Sequence, residues 1–88
     1  MLIVWHPTAW ADYLYWQQND KKMLFRINDL IKDTMRHPFD GIGKPEPLRG
    51  NLKGQWSRRI TQEHRLTYLV KTDQGDQTLV ILQCRFHY

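Results

Sequence analysis

The chain has 88 residues, of which 41% are hydrophobic and 12% aromatic, so residues 1–88 suit a single folded domain and not a disordered segment. The formal net charge of +4 favours an anionic partner. The single cysteine excludes an internal disulfide framework, and because we find neither a signal peptide nor an apolar run of membrane-spanning length, we expect a cytoplasmic protein that does not bind membranes.

The first half of the sequence predicts one strand followed by two helices. Leu2–Trp5 is a continuous apolar run that suits a buried strand. Thr8 and Asp20 are candidate N-caps of two helices that end near residues 18 and 36. Because the break between them is so short, we expect a helical hairpin.

The second half predicts a long loop and then three strands. Residues 37–54 contain seven Gly and Pro residues, which indicates a loop of the kind that often carries function. Beyond it the hydrophobic period changes to two, which predicts strands over 55–61, 65–72 and 78–88 joined by short turns. The expected fold is α+β, with an N-terminal strand and a helical hairpin packed on one face of a twisted antiparallel β-sheet.

The excess positive charge lies in one block of the chain. Residues 44–65 hold six basic residues against two acidic ones, whereas the other 66 residues hold seven of each sign. The basic residues are Lys44, Arg49, Lys53, Arg58, Arg59 and Arg65. Such a block is typical of a surface that binds a polyanion, and a merely solvated basic face is the alternative interpretation.

The sheet face opposite the helices is expected to be open. Strand alternation predicts that it carries Gln83, Arg85 and His87 of the last strand together with Arg65 and Thr67 of the strand before, whereas Cys84 and Phe86 point towards the helices. Glu46, held between two prolines in the long loop, can lie over the edge of the same surface.

Glu46, Arg65 and His87 supply the groups needed to cut RNA without a metal. A base takes the proton from a ribose 2′-hydroxyl, an acid protonates the departing 5′-oxygen, and a fixed cation holds the phosphate. Each residue also has a simpler interpretation: Glu46 as an exposed loop acid, Arg65 as a surface ion pair with Glu63 or Asp76, and His87 as a mobile surface imidazole.

Three further residues and the absence of a metal motif complete these predictions. Arg58 and Arg59 alternate along their strand, so at most one faces the open surface and the other is solvated or contacts nucleic acid further out. Trp56 is the aromatic side chain expected to stack on a base. No metal or cofactor is expected, because Cys84 and His87 have no second close Cys/His pair.

Six blocks of the sequence form a recognisable series: Trp10-x-Asp12-Tyr13-x-Tyr15-Trp16, Ile27-Asn28-x-Leu30-Ile31, Pro38-Phe39-x-Gly41-x-Gly43-Lys44-Pro45-Glu46-Pro47-Leu48, Trp56-Ser57-Arg58-Arg59-Ile60, Glu63-His64-Arg65-Leu66 and Cys84-Arg85-x-His87-Tyr88. In this order they resemble the Txe/YoeB family of small bacterial toxins, within the RelE/ParE superfamily. The similarity extends over nearly the whole chain. It implies a fold of the microbial-ribonuclease type.

The resemblance implies a ribosome-dependent endoribonuclease that cleaves mRNA in the decoding site, leaving a 2′,3′-cyclic phosphate and a 5′-hydroxyl. The implied roles are base for Glu46, acid for His87, phosphate stabilisation for Arg65 and substrate orientation for the terminal Tyr88. Arg49, Lys53, Arg58 and Arg59 are the expected phosphate contacts. Arg49 replaces the Lys usual in the family, and Phe86 replaces a common Tyr.

The implied partners are an acidic YefM-like antitoxin, the 70S ribosome and mRNA, with a possible homodimer and with operator DNA bound only through the antitoxin complex. Two other function classes remain open. One is a non-catalytic toxin of the same superfamily that poisons a target such as DNA gyrase by binding it. The other is a DNA-binding regulator that uses Arg58 and Arg59.

Overall fold

A computed structural model of the chain describes residues 1–86. Two helices and five strands follow one another in these residues: β1 (Leu2–Trp5), α1 (Pro7–Asn19), α2 (Lys21–Arg36), β2 (Glu46–Pro47), β3 (Trp56–Arg59), β4 (Arg65–Asp73) and β5 (Asp76–Gln83). A 3-10 turn at Gly50–Leu52 lies between β2 and β3. The helices pack on the sheet, which confirms the predicted α+β class.

The sheet is mixed, because the predicted N-terminal strand joins the predicted antiparallel sheet in parallel. Its strand order is β1-β5-β4-β3-β2, and β1 runs parallel to β5 while the other neighbouring pairs are antiparallel. The two helices connect β1 to the rest of the sheet. That connection is long enough for the crossover that a parallel pair requires.

Strand β1 is an exposed edge strand, so the prediction of a buried strand is also wrong. Leu2 is 72% exposed and Val4 47% exposed. The strand has only β5 as a neighbour in the described part of the sheet. A short apolar run does not distinguish a central strand from an edge strand, because both share the same local composition.

The helix boundaries follow from their caps. Helix α1 begins two residues earlier than predicted, because the N-cap is His6 and not Thr8. The Nδ1 of His6 accepts from the Thr8 amide at 3.2 Å, and Pro7 takes the first helical position. Asp20 caps α2 as predicted. The predicted hairpin is tied across its two helices by Tyr13, whose hydroxyl donates to Asn28 Oδ1 at 2.8 Å.

The core lies between the helices and one face of the sheet. Its completely buried apolar residues are Ala9 of α1, Ile27 and Leu30 of α2, Leu66 and Tyr68 of β4, Leu79 and Ile81 of β5, and Cys84. Each large apolar side chain contributes about 1.5–3 kcal/mol of transfer free energy. The core uses one face of the sheet, which leaves the other face for function. No helix within residues 1–86 has the length and apolarity needed to cross a bilayer.

Candidate active site

Glu46 lies in a short strand and not in the unpaired loop that the sequence predicts. In β2 it is the register partner of Ser57 in β3, and it is exposed. Side chains of directly opposed residues project from the same face of a sheet. The pairing with β3 therefore fixes where the backbone of Glu46 sits, and its carboxylate stands at the β2 edge of the sheet.

A row of polar residues crosses the sheet from Glu46. Ser57 in β3 is opposite Thr67 in β4, and Thr67 is opposite Gln83 in β5. The open face predicted for Thr67 and Gln83 therefore extends to Glu46 through Ser57, a residue that the sequence analysis did not single out. Strand alternation within Trp56-Ser57-Arg58 was the signal that could have found it.

The hydroxyls in the middle of this row are unusual. Ser57 is 1% exposed and Thr67 is 2% exposed. Neither hydroxyl oxygen has a hydrogen-bond partner in the described part of the chain. Buried polar atoms are normally paired, so two unpaired hydroxyls are unexpected here. They form a polar strip on the same sheet face as the neighbouring charged residues.

Two arginines form the next row of the same face. Arg59 of β3 and Arg65 of β4 are register partners. Arg65 directs its Nη1 to the turn between these strands, where it donates to the carbonyls of Thr61, Gln62 and His64 at 2.6, 3.0 and 3.1 Å. The alternative pairing of Arg65 with Glu63 or Asp76 is therefore not what orients its side chain.

The last described residues leave the sheet sooner than predicted. Strand β5 ends at Gln83, and the prediction that it continues to residue 88 is wrong for the residues that the structure describes. A bulge between β4 and β5, where two residues of β5 match one step of β4, precedes this end. His87 and Tyr88 lie outside the described residues, so their predicted roles stay predictions.

Arg85 does not lie on the open face, contrary to the alternation argument. Its guanidinium carbon is 3.5 Å from the ring centroid of Tyr15 on α1, a cation–π contact. Phe86 is not buried in the apolar face that alternation assigns it, because it is 57% exposed and its ring contacts the Arg85 guanidinium, with 4.6 Å between the guanidinium carbon and the ring centroid. Its backbone still returns to the sheet, since the Arg65 amide donates to the Phe86 carbonyl at 3.0 Å.

The site thus spans the far end of the sheet. Phe86 borders β4 on the side away from β3, and β2 borders β3 on the opposite side. The backbones of Glu46 and Phe86 are therefore about three strand spacings, or roughly 14 Å, apart across the sheet. Arg59, Arg65, Ser57 and Thr67 occupy the interval.

Arg58 does not bind phosphate, because its guanidinium is completely buried on the helix side of the sheet. It donates to Asp33 Oδ2 at 2.7 Å, to the Tyr68 hydroxyl at 3.2 Å, and to the carbonyls of His37, Asp40 and Ile42. The three bonds to carbonyls hold the loop after α2 against the sheet, and the bond to Asp33 holds α2 itself. The hydrogen bond from Arg58 lowers the pKa of the Asp33 carboxyl below its ordinary value, helped by the amide of Ile42.

Trp56 is not a platform for base stacking either. It is half-buried, packs against the core, and lies 4.9 Å from the ring of Phe39. In the sheet it is opposite Tyr68 and so projects from the helix side. Arg49 and Lys53 are exposed and flank the 3-10 turn, and their predicted phosphate contacts stay predictions.

Beneath the last described residues lies a buried thiol held by α1. The Cys84 amide donates to Asp12 Oδ2 at 3.0 Å and the Cys84 carbonyl accepts from the indole of Trp16 at 2.8 Å. Burial, reinforced by the charge of Asp12, raises the pKa of the Cys84 thiol to about 12. Cys84 is therefore a structural residue and not a nucleophile. Within residues 1–86 no group of three or more His, Cys, Asp or Glu side chains is arranged to hold a metal ion.

Comparison with known proteins decides the family. Residues 5–88 match the model of the YoeB-like toxin of bacterial type II toxin-antitoxin systems. The chain belongs to this YoeB-like toxin family. Toxin YoeB of Escherichia coli (strain K12) is 57% identical over 88 residues, with all of both chains covered. The resemblance inferred from the sequence blocks is thereby confirmed.

Solved structures of YoeB toxins share the fold over the full chain. A YoeB/ParE toxin from Agrobacterium tumefaciens is 52% identical, with a TM-score of 0.95 and complete coverage of both chains. A chain of the YoeB dimer from Staphylococcus aureus is 47% identical, with a TM-score of 0.88, and the match covers 100% of this chain and 98% of the dimer's chain. A heterotetrameric YoeB-YefM toxin-antitoxin complex from the same organism is 48% identical, with a TM-score of 0.85 and coverages of 100% and 99%.

Proposed function

We propose that this toxin is a ribosome-dependent endoribonuclease that cuts mRNA in the decoding site and so stops translation. The observation that carries the proposal is the strand register, which sets Glu46, Arg59 and Arg65 on one open face with Phe86, the residue before His87, at its border. A carboxylate, fixed guanidiniums and an imidazole are the groups that cleavage through the 2′-hydroxyl requires.

The proposed reaction is a transesterification. Glu46 takes the proton from the ribose 2′-hydroxyl, and the 2′-oxygen attacks the adjacent phosphorus. The phosphorus–5′-oxygen bond breaks, and His87 gives a proton to the departing oxygen. The products are a 2′,3′-cyclic phosphate and a 5′-hydroxyl, and no cofactor takes part.

In this reaction the arginines stabilise the pentavalent phosphate. Because Nη1 of Arg65 is committed to the Thr61, Gln62 and His64 carbonyls, the three N–H groups on Nε and Nη2 are those that address the phosphate. Fixed donors cost little reorganisation when charge develops. Arg59 adds an exposed cation on the same row, with Arg49 and Lys53 as outer phosphate contacts and Tyr88 as an orienting group.

The proposed partners follow from the charge and from the relatives. With Arg58 buried against Asp33, five basic side chains of the 44–65 block remain against Glu46 and Glu63. An acidic YefM-like antitoxin would cover this surface, in line with the YoeB-YefM complex from Staphylococcus aureus. A homodimer is proposed by analogy with the YoeB dimer, operator DNA would be bound only through the antitoxin complex, and a ribosomal target places the toxin in the cytoplasm.

The test uses translating 70S ribosomes programmed with two mRNAs that differ only at the scissile nucleotide, which is a ribose in one and a 2′-deoxyribose in the other. We expect the toxin to cut only the first and to leave a cyclic phosphate. Cutting of the deoxy message would disprove attack by the 2′-hydroxyl. Blocked translation with intact mRNA would instead support the binding-only class that includes gyrase poisons, and tight operator binding by the toxin alone would support a regulator.

Glu46→Gln is the matched variant for the proposed base. Loss of general-base catalysis is expected to lower the single-turnover cutting rate by about 10²–10⁴-fold. Because Glu46 is exposed, the fold should survive, which circular dichroism checks. Glu63→Gln, an exposed carboxylate in the β3–β4 turn, is the control and should retain the wild-type rate.

A further inference from the structure

His64 makes a hydrogen bond that the proposed mechanism does not use. The Phe86 amide donates to Nδ1 of His64 at 2.8 Å. The imidazole also meets the ring of Trp16 edge-on, with 4.9 Å between centroids, and the ring of Phe86 at 5.5 Å. The side chain of His64 therefore links helix α1 to the last described residue.

The backbone of His64 is itself fixed. Its amide donates to the Thr61 hydroxyl at 3.2 Å, and its carbonyl accepts from the amides of Ile60 and Thr61 at 3.0 and 3.2 Å. These hydrogen bonds close the turn between β3 and β4 and fix the backbone that carries the imidazole. A ring held at both its backbone and its face has little freedom to move away from Phe86.

Phe86 is in a backbone conformation that needs such support. Its φ of +62° is left-handed, which costs a residue other than glycine roughly 1–2 kcal/mol. Its amide is bound by His64, and its carbonyl accepts from the Arg65 amide. His64 and Arg65 thereby fix the amide and the carbonyl of Phe86. An unfavourable backbone conformation persists where the surrounding contacts determine it in this way.

We propose that His64 is a positioning residue for the chemistry of this toxin. Through Nδ1 it holds the Phe86 backbone beside Arg65 and so fixes the point from which the chain continues to His87. Phe86 directly precedes the proposed acid in the sequence, so its fixed backbone is the last described anchor on the border of the open face. The catalytic consequence rests on the proposed function, whereas the anchor itself does not.

The bond also defines the state of the imidazole. An amide can only donate, so Nδ1 must carry a lone pair, and the neutral ring carries its proton on Nε2. His64 is therefore an acceptor at one defined nitrogen. Asparagine places a carbonyl oxygen near the position of Nδ1, whereas leucine fills similar space and offers no acceptor.

His64→Leu and His64→Asn therefore form a matched pair. The first readout is amide hydrogen exchange at Phe86, measured in the full chain by NMR without ribosomes. We expect exchange to be about tenfold faster in His64→Leu, the worth of one hydrogen bond, and to return close to the wild-type rate in His64→Asn. Exchange at the core amide of Leu79 should be the same in all three proteins, which separates loss of the anchor from general destabilisation.

The second readout is single-turnover cutting of ribosome-bound mRNA. His64→Leu is expected to lower the rate at saturating toxin by about tenfold or more, with an unchanged half-saturating concentration, and His64→Asn to restore it. Unchanged Phe86 exchange in His64→Leu would overturn the anchor. Faster exchange with an undiminished cutting rate would overturn the positioning role. If wild-type toxin does not cut at all, the proposed function fails while the exchange result still tests the anchor.

Discussion

At the scale of single residues, two neighbouring arginines of β3 have opposite environments. Arg58 is completely buried and makes five hydrogen bonds, whereas Arg59 is exposed on the open face opposite Arg65. Burial of a guanidinium is tolerated only because Asp33 neutralises it and backbone carbonyls accept its remaining protons. The same residue type therefore serves the fold at one position and the open face at the next.

This difference predicts a large contrast in stability. Arg58→Met leaves three loop carbonyls without their donor, and because unpaired buried acceptors are costly it should lower the free energy of unfolding by at least about 2 kcal/mol. Arg59→Met, the adjacent control, should change it by less than about 0.5 kcal/mol. Urea denaturation followed by tryptophan fluorescence measures both, and equal losses in the two variants would contradict the assigned roles.

The same pair makes stability depend on pH. The hydrogen bond from Arg58 lowers the pKa of Asp33 in the folded state, so the folded protein binds a proton there less readily than the unfolded chain does. The resulting stabilisation is fully present above the unfolded pKa, about 3.9, and is lost as the pH falls through the lower folded pKa.

Urea midpoints measured from about pH 6 downwards through the unfolded pKa of about 3.9 test this linkage. The wild-type midpoint should decrease with acidification, and Asp33→Asn should have a lower midpoint near neutrality and a flatter profile through the acid range. Asp29→Asn, on the same helix, is the control and should follow the wild-type profile. Parallel profiles for the wild type and Asp33→Asn would show that another carboxyl is responsible.

At the scale of elements, the loop after α2 is a fixed support for Glu46. Arg58 binds three of its carbonyls, and the Tyr68 hydroxyl donates to the Pro38 carbonyl at 2.6 Å. Further along, the Arg59 amide donates to the Gly43 carbonyl at 2.7 Å. The chain therefore reaches β2 from an anchored segment, which limits where the Glu46 carboxylate can move.

Two glycines with left-handed backbones test how tightly this loop is packed. At Gly41, with φ of +112°, an added Cβ would lie 2.0 Å from Asp33 Oδ2, whereas at Gly50, with φ of +66°, nothing lies within 4 Å. Gly50→Ala should cost roughly 1–2 kcal/mol from its backbone alone. Gly41→Ala should cost more, because the methyl group also displaces the carboxylate that binds Arg58; equal unfolding midpoints would disprove the close packing.

The sequence predicts elements better than the contacts between them. Periodicity identifies α2 and β4 almost to the residue, and alternation correctly separates Arg58 from Arg59. It does not say which of them is buried, because the deciding partner, Asp33, is 25 residues away in the chain. Glu46 was likewise assigned to a loop, since a strand of two residues exists only through its pairing with β3.

The end of β5 was misjudged for a similar reason. The apolar alternation of residues 79–86 continues beyond Gln83 in the sequence, but the structure inserts a bulge and then turns the backbone at Phe86. The turn depends on His64 and Arg65, which are more than 20 residues earlier. The local alternation of apolar and polar residues does not predict hydrogen bonds between residues so far apart in the chain.

At the scale of the whole molecule, Cys84 reports on the integrity of the core. Its thiol packs at 3.6 Å from the Ala9 carbonyl, and its pKa rises from 9.0 to about 12. The fraction of Cys84 present as thiolate, the reactive form, is thus about a thousandfold smaller near neutral pH. Iodoacetamide should modify unfolded toxin in urea at least that much faster than native toxin; rapid modification of the native protein would mean that α1 detaches from the sheet.

The parallel pairing of β1 with β5 has a consequence for the timing of synthesis. Leu2 is the register partner of Thr78, so β1 cannot pair until the ribosome has made β5, the last strand of the described residues. Non-local pairings of this kind slow folding. The nascent polypeptide therefore emerges without a complete sheet, and the toxin matures only after translation of β5 has finished.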